Sequence, residues 1–224
     1  METPVEILSE TYPATDRTRV RRLPARASYD RATVHEILDA GRVAHVGVAS
    51  GGQPRVIPMA YVRDGESILL HGSTRAGVLE ALAEGSPVCV TVSLLDGLVL
   101  ARSAFHHSVN YRSVAVLGRG RAITEEDAKR RALDVFLDRF VPGRRAEVRA
   151  ASSQELRATL VVAVPIEEVV AKRREGGPID DAEDLALPVW AGVVPIAGTA
   201  GEPIACASLP ADRAVPEYVR QLRG

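Results

Sequence analysis

Short apolar runs separated by tight turn dipeptides fill the chain between Val43 and Ala122. Ser50-Gly51-Gly52, Asp64-Gly65 and Asp96-Gly97 each lie between two such runs. Asp-Gly pairs supply the positive φ that two-residue hairpins need. Strands joined this closely must pair antiparallel, because a parallel neighbour needs a crossover of about a dozen residues. The expected strands cover residues 43–49, 54–63, 67–71, 87–95, 98–104 and 113–122. Residues 160–164 and a run through Lys172 follow farther on. Pro58 cannot donate a ladder hydrogen bond, so it marks an edge or a bulge.

Helices fall between these strands. Asp30 caps a segment in which Val34, Ile37 and Leu38 share a face, and Gly41 closes it. Gly72-Ser73-Thr74 opens a second helix with Val78, Leu79 and Leu82 as its stripe. Thr124 caps a third, acidic in its first turn, with Leu133, Phe136, Leu137 and Phe140 as its buried face. A short helix is expected over residues 153–158. The order gives a mainly β domain, an antiparallel barrel with helices packed outside, over residues 27–196. Residues 1–26 read as a basic, solvated arm, and residues 197–224 as a tail strapped on by Tyr218 and Leu222.

A formal net charge of −1 leaves no basic footprint for nucleic acid. Two cysteines, Cys89 and Cys206, cannot form a disulfide framework, so a reduced cytoplasmic setting is expected. The most apolar stretch, residues 87–101, is broken by Asp96-Gly97 and does not suit a membrane span.

Three places carry candidate chemistry. Residues 94–114 hold a polar cluster between apolar runs: Arg102, Ser103, His106, His107, Asn110, Tyr111 and Arg112. Long polar connections on a rigid sheet are where function concentrates. His106 and His107 are adjacent and point apart, and no second pair stands at i,i+4, so no metal site is expected. In His71-Gly72-Ser73-Thr74-Arg75 a strand ends, glycine permits close approach, and a helix begins. Free N–H groups, hydroxyls and Arg75 there suit a phosphate; capping alone would need only Thr74. Arg55, Ile57, Met59 and Tyr61 alternate onto one strand face, fit for a half-buried strand or a planar ligand. Trp190 is a core residue or a stacking platform. Gly118-Arg119-Gly120 lacks the third glycine of a dinucleotide fingerprint.

With these residues assembled, the sequence resembles the flavin-binding split-barrel proteins related to pyridoxamine 5'-phosphate oxidase, nearest the nitroimidazole-resistance branch. VIPMAY at residues 56–61, LLHGSTR at 69–75, residues 94–114 and PVWAGVVP at 188–195 carry the resemblance. It implies a six-stranded antiparallel split barrel, a homodimer, and FMN in clefts between the two chains. It implies that Arg55, Val56, Ile57, Pro58 and Met59 line the flavin ring. His71, Gly72, Ser73 and Arg75 would hold the ring edge and phosphate. Asn110, Tyr111 and Arg112 would close the site, with Trp190 near the partner's cofactor. His71 would be the catalytic residue. The implied activity is FMN-dependent reduction of a small planar electron-poor substrate, with a reduced nicotinamide as donor. The true oxidases end in a basic, histidine-containing substrate motif; residues 188–195 contain no Arg or His, which argues against pyridoxamine phosphate as substrate. Two alternatives stand beside this: a non-enzymatic flavin or haem binder, with His106 and His107 as haem ligands, and a phosphate-binding dimer with a vestigial site.

Overall fold

The computed structural model describes residues 9–50, 52–210 and 212–223. Its strands are β1 (Ala27–Ser28), β2 (Val43–Ser50), β3 (Gln53–Asp64), β4 (Ser67–Ser73), β5 (Pro87–Leu100), β6 (Ser108–Arg119), β7 (Arg121–Ala122), β8 (Thr159–Pro165), β9 (Glu168–Arg174) and β10 (Gly192–Pro195). Its helices are α1 (Arg31–Ala40), α2 (Gly77–Ala83), α3 (Glu126–Phe140), α4 (Ser153–Ala158) and α5 (Glu217–Arg220). The strands run in the order β1-β9-β6-β5-β2-β3-β4-β8-β7, with β10 added on β5. Every pairing is antiparallel.

The sheet closes around one core. Val46 of β2, Leu70 of β4, Val90 of β5, Val116 of β6, Val164 of β8 and Val169 of β9 share one buried cluster, although β8 and β9 stand far apart in the strand order. Only a rolled sheet brings them together. A smaller cluster lies outside, where Ala132 and Phe136 of α3 cover Val62, Leu69 and Val161. This is a mainly β split barrel, with ten strands among the described residues rather than the six expected.

The split lies in β3. Residues Gln53 to Ala60 pair with β2, and Tyr61 to Asp64 pair with β4. Pro58 therefore sits where the other edge of β3 carries no strand, as its missing N–H requires.

Local expectations differ from the fold in four places. Asp96-Gly97 is a bulge and not a turn: Leu95 pairs with Tyr111 and Gly97 with Asn110, leaving Asp96 as the extra residue in one continuous β5. The Asp96 carboxylate accepts from Arg112 at 3.1 and 2.8 Å. β10 packs so close to Gly97 that a Cβ would stand 3.1 Å from Val194 O. The polar cluster is likewise strand rather than loop from Ser108 onward, because β5 pairs with β6 from Ser108 and β9 joins on its other edge from Tyr111. β4 continues through Ser73, held by β8, so α2 begins at Gly77 and has no side-chain cap. α3 begins after Glu125, not Thr124, again without a side-chain cap. Asp30 does cap α1, accepting from Thr33 N at 2.7 Å.

Residues 1–8 of the expected arm and residues 211 and 224 of the tail lie outside the described residues; the described parts of both are partly docked. Tyr12 is buried, and its hydroxyl donates to Glu66 Oε2 at 2.8 Å and meets His35 Nε2 at 2.9 Å. Tyr218 donates to Glu147 Oε2 at 2.6 Å, while Leu222 stays exposed. Among the described residues no helix is long and apolar enough to cross a membrane.

Gly120 is a packing constraint, since a Cβ there would stand 2.7 Å from both Leu82 O and Val162 Cγ1. Gly120→Ala should destabilise the protein by about 1–3 kcal/mol through overpacking. Gly177→Ala, with nothing within 4 Å of the added carbon, should stay within about 0.5 kcal/mol of wild type. Urea-unfolding midpoints check both.

Candidate functional site

Successive side chains of β3 and β4 face opposite sides of the sheet. Tyr61 and Leu70 point into the main core, with Met59 packed against it; Val62 and Leu69 point toward α3. The split in β3 thus opens two clefts, one on each side.

The first cleft, about 490 Å³, is lined by Arg55, Val56, Ile57 and Met59 of β3 and by residues 76–79 at the start of α2. Arg55, Val56, Ile57 and Pro58 are exposed, whereas Met59 is half-buried. Arg55 Nη1 lies 3.8 Å from where a Cβ of Gly77 would be, so the guanidinium reaches over the first turn of α2. Gly72 lets α2 press in, since a Cβ there would stand 2.8 Å from Leu79 Cδ1. Ser73 Oγ accepts from Arg75 N at 3.2 Å, which turns the chain and leaves Ser73, Thr74 and Arg75 exposed beside the cleft. This side combines cations, apolar surface and an unpaired backbone edge.

The second cleft, about 410 Å³, is lined by Ala60, His71, Leu133, Phe136, Leu137 and Phe140. His71 is its one polar side chain. The imidazole meets the Phe136 ring edge-on, with centroids 4.3 Å apart. Its Nδ1 is buried and has no hydrogen-bond partner among the described residues. Burial holds its pKa below the ordinary value, so near neutral pH the ring is uncharged and has a lone pair to offer.

The structure therefore brings Arg55, Val56, Ile57 and Met59 together, with Gly72, Ser73 and Arg75 flanking them. It places His71 in the other cleft. Asn110, Tyr111, Arg112 and Trp190 line neither. Asn110 donates to Gly176 O at 3.1 Å and accepts from Arg174 Nη1 at 2.5 Å. Arg112 is engaged by Asp96, Tyr111 is half-buried on β6, and Trp190 is 65% exposed beside Gly192. His106 Nε2 stands 3.2 Å from Asp181 Oδ2, and His107 Nδ1 2.9 Å from Ser103 O. The sequence pattern assigns Leu133, Leu137 and Phe140 to the buried face of α3 and to no site. All three are only half-buried, and they wall the His71 cleft. An apolar helical stripe wider than one strand face can cover is the signal that was available.

Comparison with known proteins gives a consistent placement. The sequence model of the pyridoxamine 5'-phosphate oxidase family matches residues 30–173. The flavocytochrome Anf3 from Azotobacter vinelandii is 40% identical, with a TM-score of 0.88 over 94% of this chain and 98% of that one. The FAD and heme binding protein from Mycobacterium smegmatis is 41% identical, with a TM-score of 0.86 over 89% and 98%. A 5-nitroimidazole antibiotic resistance protein from Bacteroides thetaiotaomicron shares the fold at 24% identity, with a TM-score of 0.56 over 66% and 86%. A search of curated proteins finds no match.

The depressed His71 pKa has a stability consequence. Below its ordinary 6.5 the unfolded chain binds more protons than the folded one. The ring's contribution is complete above that value and is lost as pH falls toward the folded pKa. His35, lowered mainly by burial and by Arg63, acts with the same sign. Between about pH 7 and pH 5, unliganded His71→Leu should therefore lose less stability than wild type. Equal losses in denaturant melts at the two pH values would contradict this.

Proposed function

The chain belongs to the pyridoxamine 5'-phosphate oxidase family, and from that premise we propose that it is a flavin- and haem-binding redox protein. The observation that carries this reading is the position of His71. An imidazole with an orphaned buried nitrogen, set among apolar side chains, would suit a nitrogen ligand to the iron of a flat, largely apolar haem. A proton-transfer residue would have to stand beside the flavin cleft, and His71 lines the other one. His71 is thus the haem ligand in this reading. His106 and His107 line neither cleft and are not.

The Arg55–Leu79 cleft fits the flavin. Ile57 and Met59 offer apolar contact, the free edge of β3 offers hydrogen bonds to a ring edge, and Arg55 with Ser73 and Arg75 suits a phosphate. FAD takes the place of the FMN expected from sequence, because the 41% identical relative is described as binding FAD and heme. Bound together, the two groups supply an interface between two-electron and one-electron chemistry. The chain's own part is to hold them on opposite sides of one strand pair and to keep the His71 side free of other polar groups.

The exposed run from Arg55 to Ile57 leaves the flavin side open to a reduced nicotinamide and a small planar electron-poor acceptor. The nitroimidazole-resistance likeness supports the fold alone. A homodimer completes the site. Val43 and Val56, on the strand pair β2–β3, are 51% and 60% exposed, an apolar face that a second copy would cover. A second copy would also bring Asn110, Tyr111, Arg112 and Trp190 to a cleft they do not line in their own chain. Both cysteines are free, which suits a cytoplasmic setting.

His71→Ala should abolish the haem absorption band while leaving FAD uptake unchanged. Arg55→Ala with Arg75→Ala should weaken FAD roughly 10- to 100-fold, as expected for lost charge-assisted contacts, and spare haem. Absorption titrations read both. Haem binding that survives His71→Ala would sink the assignment.

A further inference from the structure

A third cleft, about 300 Å³, lies at the β1–β9 end of the sheet and is lined by Ala25, Arg26, Arg173, Arg174, Glu175 and Ile179. Its three guanidiniums converge for a topological reason. Ala27 pairs with Lys172, so the residue before Ala27 lands beside Arg173. The turn through Gly176, at φ 89°, folds back over Arg174.

Arg174 is 7% exposed, yet it forms no ion pair among the described residues. Its Nη1 donates to Asn110 Oδ1 at 2.5 Å and Gly176 O at 3.4 Å, and its Nη2 to Gly177 O at 3.0 Å. Those neutral acceptors take three of its five N–H groups and brace the turn. They do not neutralise its charge, and burying an uncompensated charge is costly. Bracing also gives no role to the other two arginines. The Arg26 side chain makes no hydrogen bond or ion pair among the described residues. Arg173 has only Glu175, at 3.6 Å, with both side chains more than half exposed. The lining carries a net charge of +2.

We propose that this cleft binds a phosphate-bearing group, with a diphosphate as the best match in charge. Guanidinium forks fit phosphate oxygens bidentately, and a diphosphate presents oxygens to more than one fork at once. The group has two sources to distinguish: a separate phosphate-bearing molecule, or the diphosphate of a dinucleotide such as FAD, in which case Arg55, Ser73 and Arg75 hold the ring edge and not the phosphate. The site itself stands apart from the flavin and haem reading; only the choice of source rests on it.

The test is calorimetric titration of the full-length protein with inorganic pyrophosphate. Saturable binding is expected, weakening as salt rises. The double variant Arg26→Ser/Arg173→Ser changes one half-buried and one exposed side chain, neither holding a buried contact of the core, and should bind at least tenfold more weakly, with a nearly unchanged unfolding midpoint. Arg174→Gln should do the same; if it fails to fold, the double variant decides. No saturable pyrophosphate binding, or equal binding by wild type and double variant, overturns the site. Parallel titrations with FAD and FMN identify the source. Loss of FAD affinity alone in the double variant assigns the cleft to the dinucleotide's diphosphate; unchanged FAD and FMN affinities assign it to a separate ligand. Uptake of neither flavin by wild type would defeat the flavin reading and leave the pyrophosphate result standing.

Discussion

The change of partner within β3, between Ala60 and Tyr61, is the constraint from which the candidate sites follow. Up to Ala60 the strand is paired with β2; from Tyr61 it is paired with β4. Tyr61 fixes that point. It is 1% exposed, and its hydroxyl donates to Leu38 O at the end of α1 at 2.5 Å. Gly41 is required beside it, since a Cβ there would stand 2.5 Å from that hydroxyl. The helix end, the tyrosine and the strand crossing form one unit. Shifting the register by a residue would exchange the two faces of β3 and scramble both clefts.

The two sides of the split differ in chemistry because different helices cover them. α2 follows directly from β4 and brings its start over Arg55, giving an apolar cleft with a cation at its edge. α3 comes from farther along the chain and lays Leu133, Phe136, Leu137 and Phe140 over His71, giving an apolar one. A flat ligand with a charged tail fits the first. A flat apolar ligand needing one nitrogen donor fits the second. Only one strand separates them, since Met59 and Ala60 are neighbours in β3 that face opposite ways. The same chain segment can therefore present two ligands to each other.

Much of this fold was legible in the sequence. Period-two alternation located β2 and β3, apolar runs beside turn residues located β4 and part of β6, and the helical stripes located α1, α2 and α3, because burial on one face writes itself into the pattern. Asp96-Gly97 was misread because a bulge and a hairpin turn use the same residue types; what distinguishes them is Arg112, sixteen positions away, holding the Asp96 carboxylate. Asn110 to Arg112 resembled a loop because they are polar. Their polarity is tolerated in a strand because Arg174 and Asp96 pair with them. Of the site, the strand face of Arg55, Ile57 and Met59 and the Ser73–Arg75 turn were legible locally. The surroundings of His71 were not, since the landing of α3 on β4 is a long-range contact. The arginine cleft depends on the pairing of Ala27 with Lys172 and was equally out of reach.

On the function proposed above, the two faces at the β3 split hold two different ligands at once. Calorimetric titration of FAD into protein already loaded with haem, set against the same titration into haem-free protein, tests this. The same stoichiometry, one flavin per chain, is expected, with simultaneous flavin and haem absorption bands at the end point. If haem instead blocks FAD uptake, or FAD displaces haem, the two share one site and the separation drawn here at Ala60 is contradicted.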